Sequence, residues 1–141
     1  MSWETPEAWI AIPGYAGYEA SSLGRVRSID RVVHHAASHK AAAYSMVRRG
    51  RVLRPAVHKG PRNHSGHLQL MLGRCRNIDV HVAVALAFHG ARPFKDAEVL
   101  HLNHNPADNT PGNLRWGTRS ENLKMDYARG VVRRYHKQYK S

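Results

Sequence analysis

The stretch VLHLNHNPADNTPGNLRWGTRSENLKMD, residues 99–126, decides how this chain folds. Residues 97–102 read as a strand, with Val99 and His101 on one face and Leu100 and Leu102 on the other. Residues 103–112 are crowded with Asn, Asp, Pro and Gly, the composition of a loop. The chain returns as a second strand over 113–117, with Leu114 and Trp116 as core candidates. Thr118 and Glu121 then match a capping box, so a helix begins there and runs through Ala128, with Gly130 as its stop. Asn122 and Asp126 lie one turn apart on one face of that helix. A ring nitrogen and two oxygen donors can therefore converge on one small hard cation.

Working outward, DVHVAVALAF (residues 79–88) spaces Val80, Val84 and Phe88 by four and fills the gaps with alanine. It predicts a helix capped by Asp79, ended by Gly90 and Pro93, and packed behind the segment above. His81 and His89 read as structural or solvent-facing. Before it, HLQLML (67–72) alternates, placing Leu68, Leu70 and Leu72 on the buried side of a strand. Residues 73–77 read as a hairpin turn.

The N-terminal block WIAIPGYAGYEASSLGRVRSIDR (9–31) has turns at Pro13-Gly14 and Gly17 and short strands around Tyr18–Ala20 and Val26–Ser28. Arg25 and Arg27 share one strand face, which suits a ribbon entering a major groove or, alternatively, a solvated sheet face. Residues 32–43 show no clean period and read as a loop or linker, with His34, His35 and His39 as solvated loop histidines. Residues 44–62 carry Arg48, Arg49, Arg51, Arg54, Lys59 and Arg62 with no acidic residue among them. Such a stretch tracks phosphates. Val52, Leu53 and Pro55 suggest a short edge strand there.

Composition agrees. The 141 residues include 22 Lys and Arg against 10 Asp and Glu, a formal charge of +12. A sequence pI near 10.6 points to a polyanion, nucleic acid first. No apolar run is long enough for a membrane span, and no signal-peptide pattern opens the chain. One cysteine, Cys75, excludes an internal disulfide framework and a Cys-rich zinc site, which fits a reducing, cytoplasmic location.

The residues from Asn113 to Asn122, NLRWGTRSEN, resemble the end of the HNH nuclease motif in its phage and intron homing endonuclease form. The block at residues 9–28 resembles the fourth type of nuclease-associated modular DNA-binding domain. HVAVALAF resembles the helix that joins the two. Together these cover roughly residues 9–126, and their order is more specific than any one of them.

The resemblance implies an α+β protein: a ββα-metal nuclease domain over residues 63–130, a β-rich basic DNA-binding module over 1–62, and a basic tail over 131–141. It implies His101 as the general base, Asn113 as the residue that pins the loop and orients the base, and Asn122 as a metal ligand. Asp126 stands where some relatives place a second helical ligand. Arg25, Arg27, Arg31, Arg48, Arg49, Arg51, Lys59 and Arg62 would contact DNA. The implied activity is hydrolysis of phosphodiester bonds in double-stranded DNA with Mg²⁺ or Mn²⁺, nicking one strand per site. A bacterial host cell, a phage or mobile-element origin and no obligate protein partner go with it.

One residue departs from the pattern. Relatives often have a metal-ligating Asp or His directly before the base, and this chain has Leu100. Asp126, bound water, or a carboxylate such as Asp108 would have to serve instead. Two other readings stay open beside the homing enzyme: a catalytically silent DNA-binding protein on the same fold, and a low-specificity phage nuclease for packaging or degradation. A basic RNA-binding module is a third, but no RNA-binding signature is evident.

Overall fold

The computed structural model describes residues 6–57, 66–74 and 76–128. The elements, in chain order, are β1 (Trp9–Ala11), β2 (Tyr18–Ser21), β3 (Val26–Ser28), β4 (Arg31–His35), β5 (Tyr44–Arg48), β6 (Ala56–Val57), β7 (Leu68–Leu72), β8 (Arg76–Asp79), α1 (Val80–His89), β9 (Glu98–His101), β10 (Leu114–Gly117) and α2 (Arg119–Ala128). A 3-10 turn, Pro111–Asn113, leads into β10. The fold is α+β, as expected.

All described strand pairs are antiparallel, in four small sheets: β1-β2-β3, β4-β5, β6-β7-β8 and β9-β10. What joins them is α1. Val80, Ala83, Val84 and Ala85 are all buried, and the helix touches strands of three of the four sheets. Alanine at 83 and 85 lets sheet backbone approach closely, and valine at 80 and 84 fills the remaining space. Ile12, Ala20 and Val26 from the first sheet join Leu70, Leu72, Ile78, Val99 and Leu114 around this helix in one core. The N-terminal sheet and the elements from β7 onward therefore share their hydrophobic interior.

Several expectations hold in detail. Leu70 and Leu72 of β7 are buried while Met71 between them is 62% exposed, the alternation read in the sequence. The capping box forms: Thr118 N–H donates to Glu121 Oε2 at 2.7 Å, and Glu121 N–H donates to Thr118 Oγ1 at 3.1 Å. Asp79 does precede α1, but its side chain makes no cap; it accepts from Gln69 Nε2 at 3.5 Å instead.

Two segments differ from the sequence reading. Residues 32–43, read as a loop, contain most of β4 and the turn of a β4–β5 ribbon, with Arg31 opposite Arg48 and His35 opposite Tyr44. The ring of His35 stacks on Tyr44 at 4.6 Å. The pattern hid because β5 is exposed throughout and β4 is nowhere fully buried, so neither alternates. The supposed turn at 73–77 includes the start of β8, a four-residue strand paired to β7. Cys75, Lys59, Arg62 and the tail from Arg129 onward lie outside the described residues.

Leu114, 2% exposed, sits where the core meets the β9–β10 hairpin. Leu114→Ala should lower unfolding free energy by about 2–5 kcal/mol, measured by urea denaturation followed by circular dichroism.

Candidate active site

His101 is the last residue of β9, opposite Leu114, and is 9% exposed. Its Nε2 lies 2.9 Å from Oδ1 of Asn109, itself 4% exposed. An amide oxygen can only accept, so Nε2 carries the proton and donates, and Nδ1 keeps the lone pair. Burial pushes the His101 pKa down from its usual value; the Asn109 bond and the charge of Asp108 pull the other way without cancelling it. The ring is thus neutral and ready to accept a proton at neutral pH.

The loop after His101 is a web of asparagine and aspartate bonds. Asn113 Nδ2 donates to Asn103 Oδ1 and to the Asp108 carbonyl, both at 2.8 Å, and its Oδ1 accepts from Asn103 N–H at 2.9 Å. Asn103 Nδ2 donates to Asp108 Oδ2 at 2.8 Å, and Thr110 Oγ1 donates to Asp108 Oδ1 at 2.7 Å. These donors hold the Asp108 carboxyl below the usual carboxylate range, the Thr110 hydroxyl most of all. Asn113 therefore ties the end of the loop to its start at Asn103 and to its middle at Asp108. The side chain that meets His101 is Asn109, a residue the sequence reading passed over as one of several loop asparagines.

The N-terminal module presses on this loop. Gly24, in the β2–β3 turn with φ +80°, lies so near that an added Cβ would be 2.9 Å from the backbone of Asn109. A turn of the first sheet thereby buttresses the residue that bonds His101.

On the other face of β9 stand Glu98 and Leu100, toward α2. Leu100 is fully buried, and a Cβ added to Gly117 would be 2.6 Å from its Cδ1. The position of the missing ligand is packed apolar core. One strand repeat earlier, Glu98 Oε2 accepts from Asn122 Nδ2 at 3.0 Å. Asp126 is half-buried one turn along the same helix. Among the described residues no group of three or more His, Cys, Asp or Glu side chains is already arranged around a common cation position. Even so, a carboxylate and an amide oxygen at the strand–helix seam are hard donors, the kind a cation that keeps several waters accepts. The donor chemistry fits, with Glu98 an unforeseen member.

Two more histidines lie against His101. Extending the β7–β8 register beyond Gln69 and Asp79 sets His67 against His81, and their ring centroids are 4.6 Å apart. His101 is 5.4 Å from His67 and 5.1 Å from His81. His81 is 7% exposed, and burial, with help from the two neighbouring rings, holds its pKa down at about 3.

The arginines divide. Arg25 is paired with Glu7, and Arg27 with Glu19 at 2.9 Å; both guanidinium groups lie over the ring of Trp9, at 5.6 and 4.2 Å. Glu7 is held down at about 2 by Arg25. Arg49 bonds Asp30 at 3.2 Å. Arg51 uses its backbone to bond Ser28. Arg31 and Arg48 pair across the exposed β4–β5 ribbon.

The shift of His81 fixes a sign. The unfolded chain takes up a proton there below about 6.5, and the folded chain resists it until about 3. Stability is thus full above pH 6.5 and is lost as pH falls toward 3, by up to about 1.4 kcal/mol per unit. His101, shifted the same way, adds to this loss. Urea midpoints should drop between pH 7 and pH 4, and His81→Phe should flatten that slope.

Comparison with known proteins places these features. Residues 79–124 match the model of the HNH endonuclease family, and residues 7–67 match that of the NUMOD4 motif. No curated protein matches the chain in sequence. Among solved structures, the chain is similar to the HNH homing endonuclease I-HmuI, in a structure described as showing DNA binding and cleavage by that enzyme. The TM-score is 0.59 at 25% identity, over 93% of this chain and 64% of that one. The present chain thus spans less than two thirds of the homing enzyme's length. No helix among the described residues is long and apolar enough to cross a membrane. A NUMOD4 motif is thus followed in this chain by a segment that matches the HNH endonuclease family, on an architecture similar to that of a homing endonuclease.

Proposed function

We propose that the chain is a metal-dependent DNA endonuclease of homing type that nicks one strand per site. The observation that carries this reading is the buried His101 ring, its Nε2 donating to Asn109 and its Nδ1 left to accept a proton. His101 takes a proton from water, the water oxygen attacks phosphorus, and the bond to the 3′ oxygen breaks. The products carry a 5′ phosphate and a 3′ hydroxyl, the leaving oxygen taking its proton from solvent. Asn109 sets the tautomer of the ring. Asn113 acts on the loop that carries Asn109, through Asn103 and Asp108.

Asn122, Glu98 and Asp126 would hold the divalent metal, Mg²⁺ or Mn²⁺. When bound it supplies positive charge against the phosphate oxygens and the leaving oxygen. Double-stranded DNA meets the β4–β5 ribbon, where Arg31 and Arg48 stand in the open. Arg49, Arg51, Lys59 and Arg62 extend the same basic stretch along the backbone. Arg25 and Arg27, pinned by Glu7 and Glu19, present a fixed basic surface. The substrate cell is a bacterial host, with the gene carried by a phage or mobile element.

Burial of Leu100 favours one competing reading, a DNA-binding protein that has lost its chemistry. Supercoiled plasmid separates the two. With Mg²⁺ the protein should convert it to open circles, EDTA should stop this, and His101→Ala should reduce the rate by at least about 100-fold. Tight DNA binding without cleavage under any divalent metal would establish the silent binder.

The ligand set has its own test. Mn²⁺ affinity, measured by calorimetry without DNA, should weaken about tenfold or more in Glu98→Gln, where an uncharged amide replaces a ligating carboxylate. Unchanged affinity there with a loss in Asp126→Asn would assign the site to the helix alone.

A further inference from the structure

The mechanism above uses His101 and leaves His67 and His81 without a task. Their placement is unusual in two ways. The three rings are in mutual contact, with centroids 4.6, 5.4 and 5.1 Å apart, although they come from the lead-in to β7, the first turn of α1 and the end of β9. In addition, Nδ1 of His81 is buried with no hydrogen-bond partner among the described residues. A buried polar atom in that state is costly, and an aromatic hydrocarbon ring would fill the same space without the cost. An imidazole held there by packing asks for an explanation beyond the core.

Among the described residues, His101 has one hydrogen bond fixing its ring, to Asn109. One bond leaves the ring free to tilt about the line joining the two residues. The neighbouring rings remove that freedom. His67 stacks on His101 at an interplanar angle of 16°, and His81 meets it at 52°. One ring covers a face and the other leans across it, which defines a plane as a single bond cannot.

We propose that His67 and His81 are positioning residues that clamp the His101 ring: they fix the plane of a ring that Asn109 holds at one nitrogen, and keep water from its inner side. The proposal rests on the reading of His101 as the base, and it deepens that reading by naming what holds the base. Among the described residues, the titratable groups facing His101 are His67, His81 and Asp108. Burial is the largest influence on the His101 pKa, and these two rings supply part of that cover.

The test is made on the full chain. The proton titration of His101 is followed by NMR, without DNA or metal, in the wild type, His81→Phe and His81→Ala, each checked for folding by circular dichroism. The clamp predicts a midpoint below 6.5 in the wild type, retained in His81→Phe, where a ring still covers the base. In His81→Ala, where water enters, the midpoint should move up toward 6.5. Plasmid nicking should follow: kcat about tenfold lower or more in His81→Ala, KM for DNA unchanged, the acid limb of the pH profile displaced upward, and partial recovery in His81→Phe. An identical His101 titration in all three folded proteins would overturn the clamp. Should His81→Ala fail to fold, His67→Ala and His67→Phe, on the half-exposed side, decide by the same two measurements. If the titration moves as expected while His101→Ala still nicks at the wild-type rate, the clamp stands and the base reading falls.

Discussion

The packing of α1 is the interaction on which the rest of the structure depends. A ten-residue helix with apolar side chains on most of its surface cannot be left at an edge. It draws the first sheet, the β7–β8 hairpin and the β9–β10 hairpin onto its sides, and none of these small sheets has a core of its own. The same helix carries His81 in its first turn, so burying its apolar face also delivers an imidazole against the base. Fold stability and active-site geometry are coupled through one element.

Around His101 two asparagines divide the work. Asn113 bonds the start and the middle of the loop, and a loop so tied presents Asn109 to His101. Gly24 adds a stop from outside, its bare backbone lying against Asn109 where any side chain would push it away. The N-terminal sheet is thus in direct contact with the loop that carries Asn109.

The strand–helix seam shows how a departure from a family pattern can be absorbed. With Leu100 in the place of a ligand, the strand gains an apolar plug against Gly117 and α2. The strand's alternation places Glu98 on the same face one repeat back, where it meets Asn122. The seam thus holds a carboxylate beside the Asn122 amide, with Leu100 packed apolar between strand and helix.

The sequence by itself determined the local elements around the site. Thr118 and Glu121 specify the start of α2, the alternating leucines specify the face of β7, and the apolar spacing in residues 80–88 specifies α1. Each depends on contacts between neighbours in the chain, which spacing encodes directly. The basic surplus likewise declares a polyanion as partner without any fold. Only the tertiary structure decided which of many asparagines and histidines matter. Asn109, Glu98, His67 and His81 carry no local signature, because their importance comes from partners 8, 24, 34 and 20 residues away in the chain. The β4–β5 ribbon stayed hidden for the opposite reason: exposed on both sides, its strands carry no alternation, and pairing across the turn alone makes them a sheet.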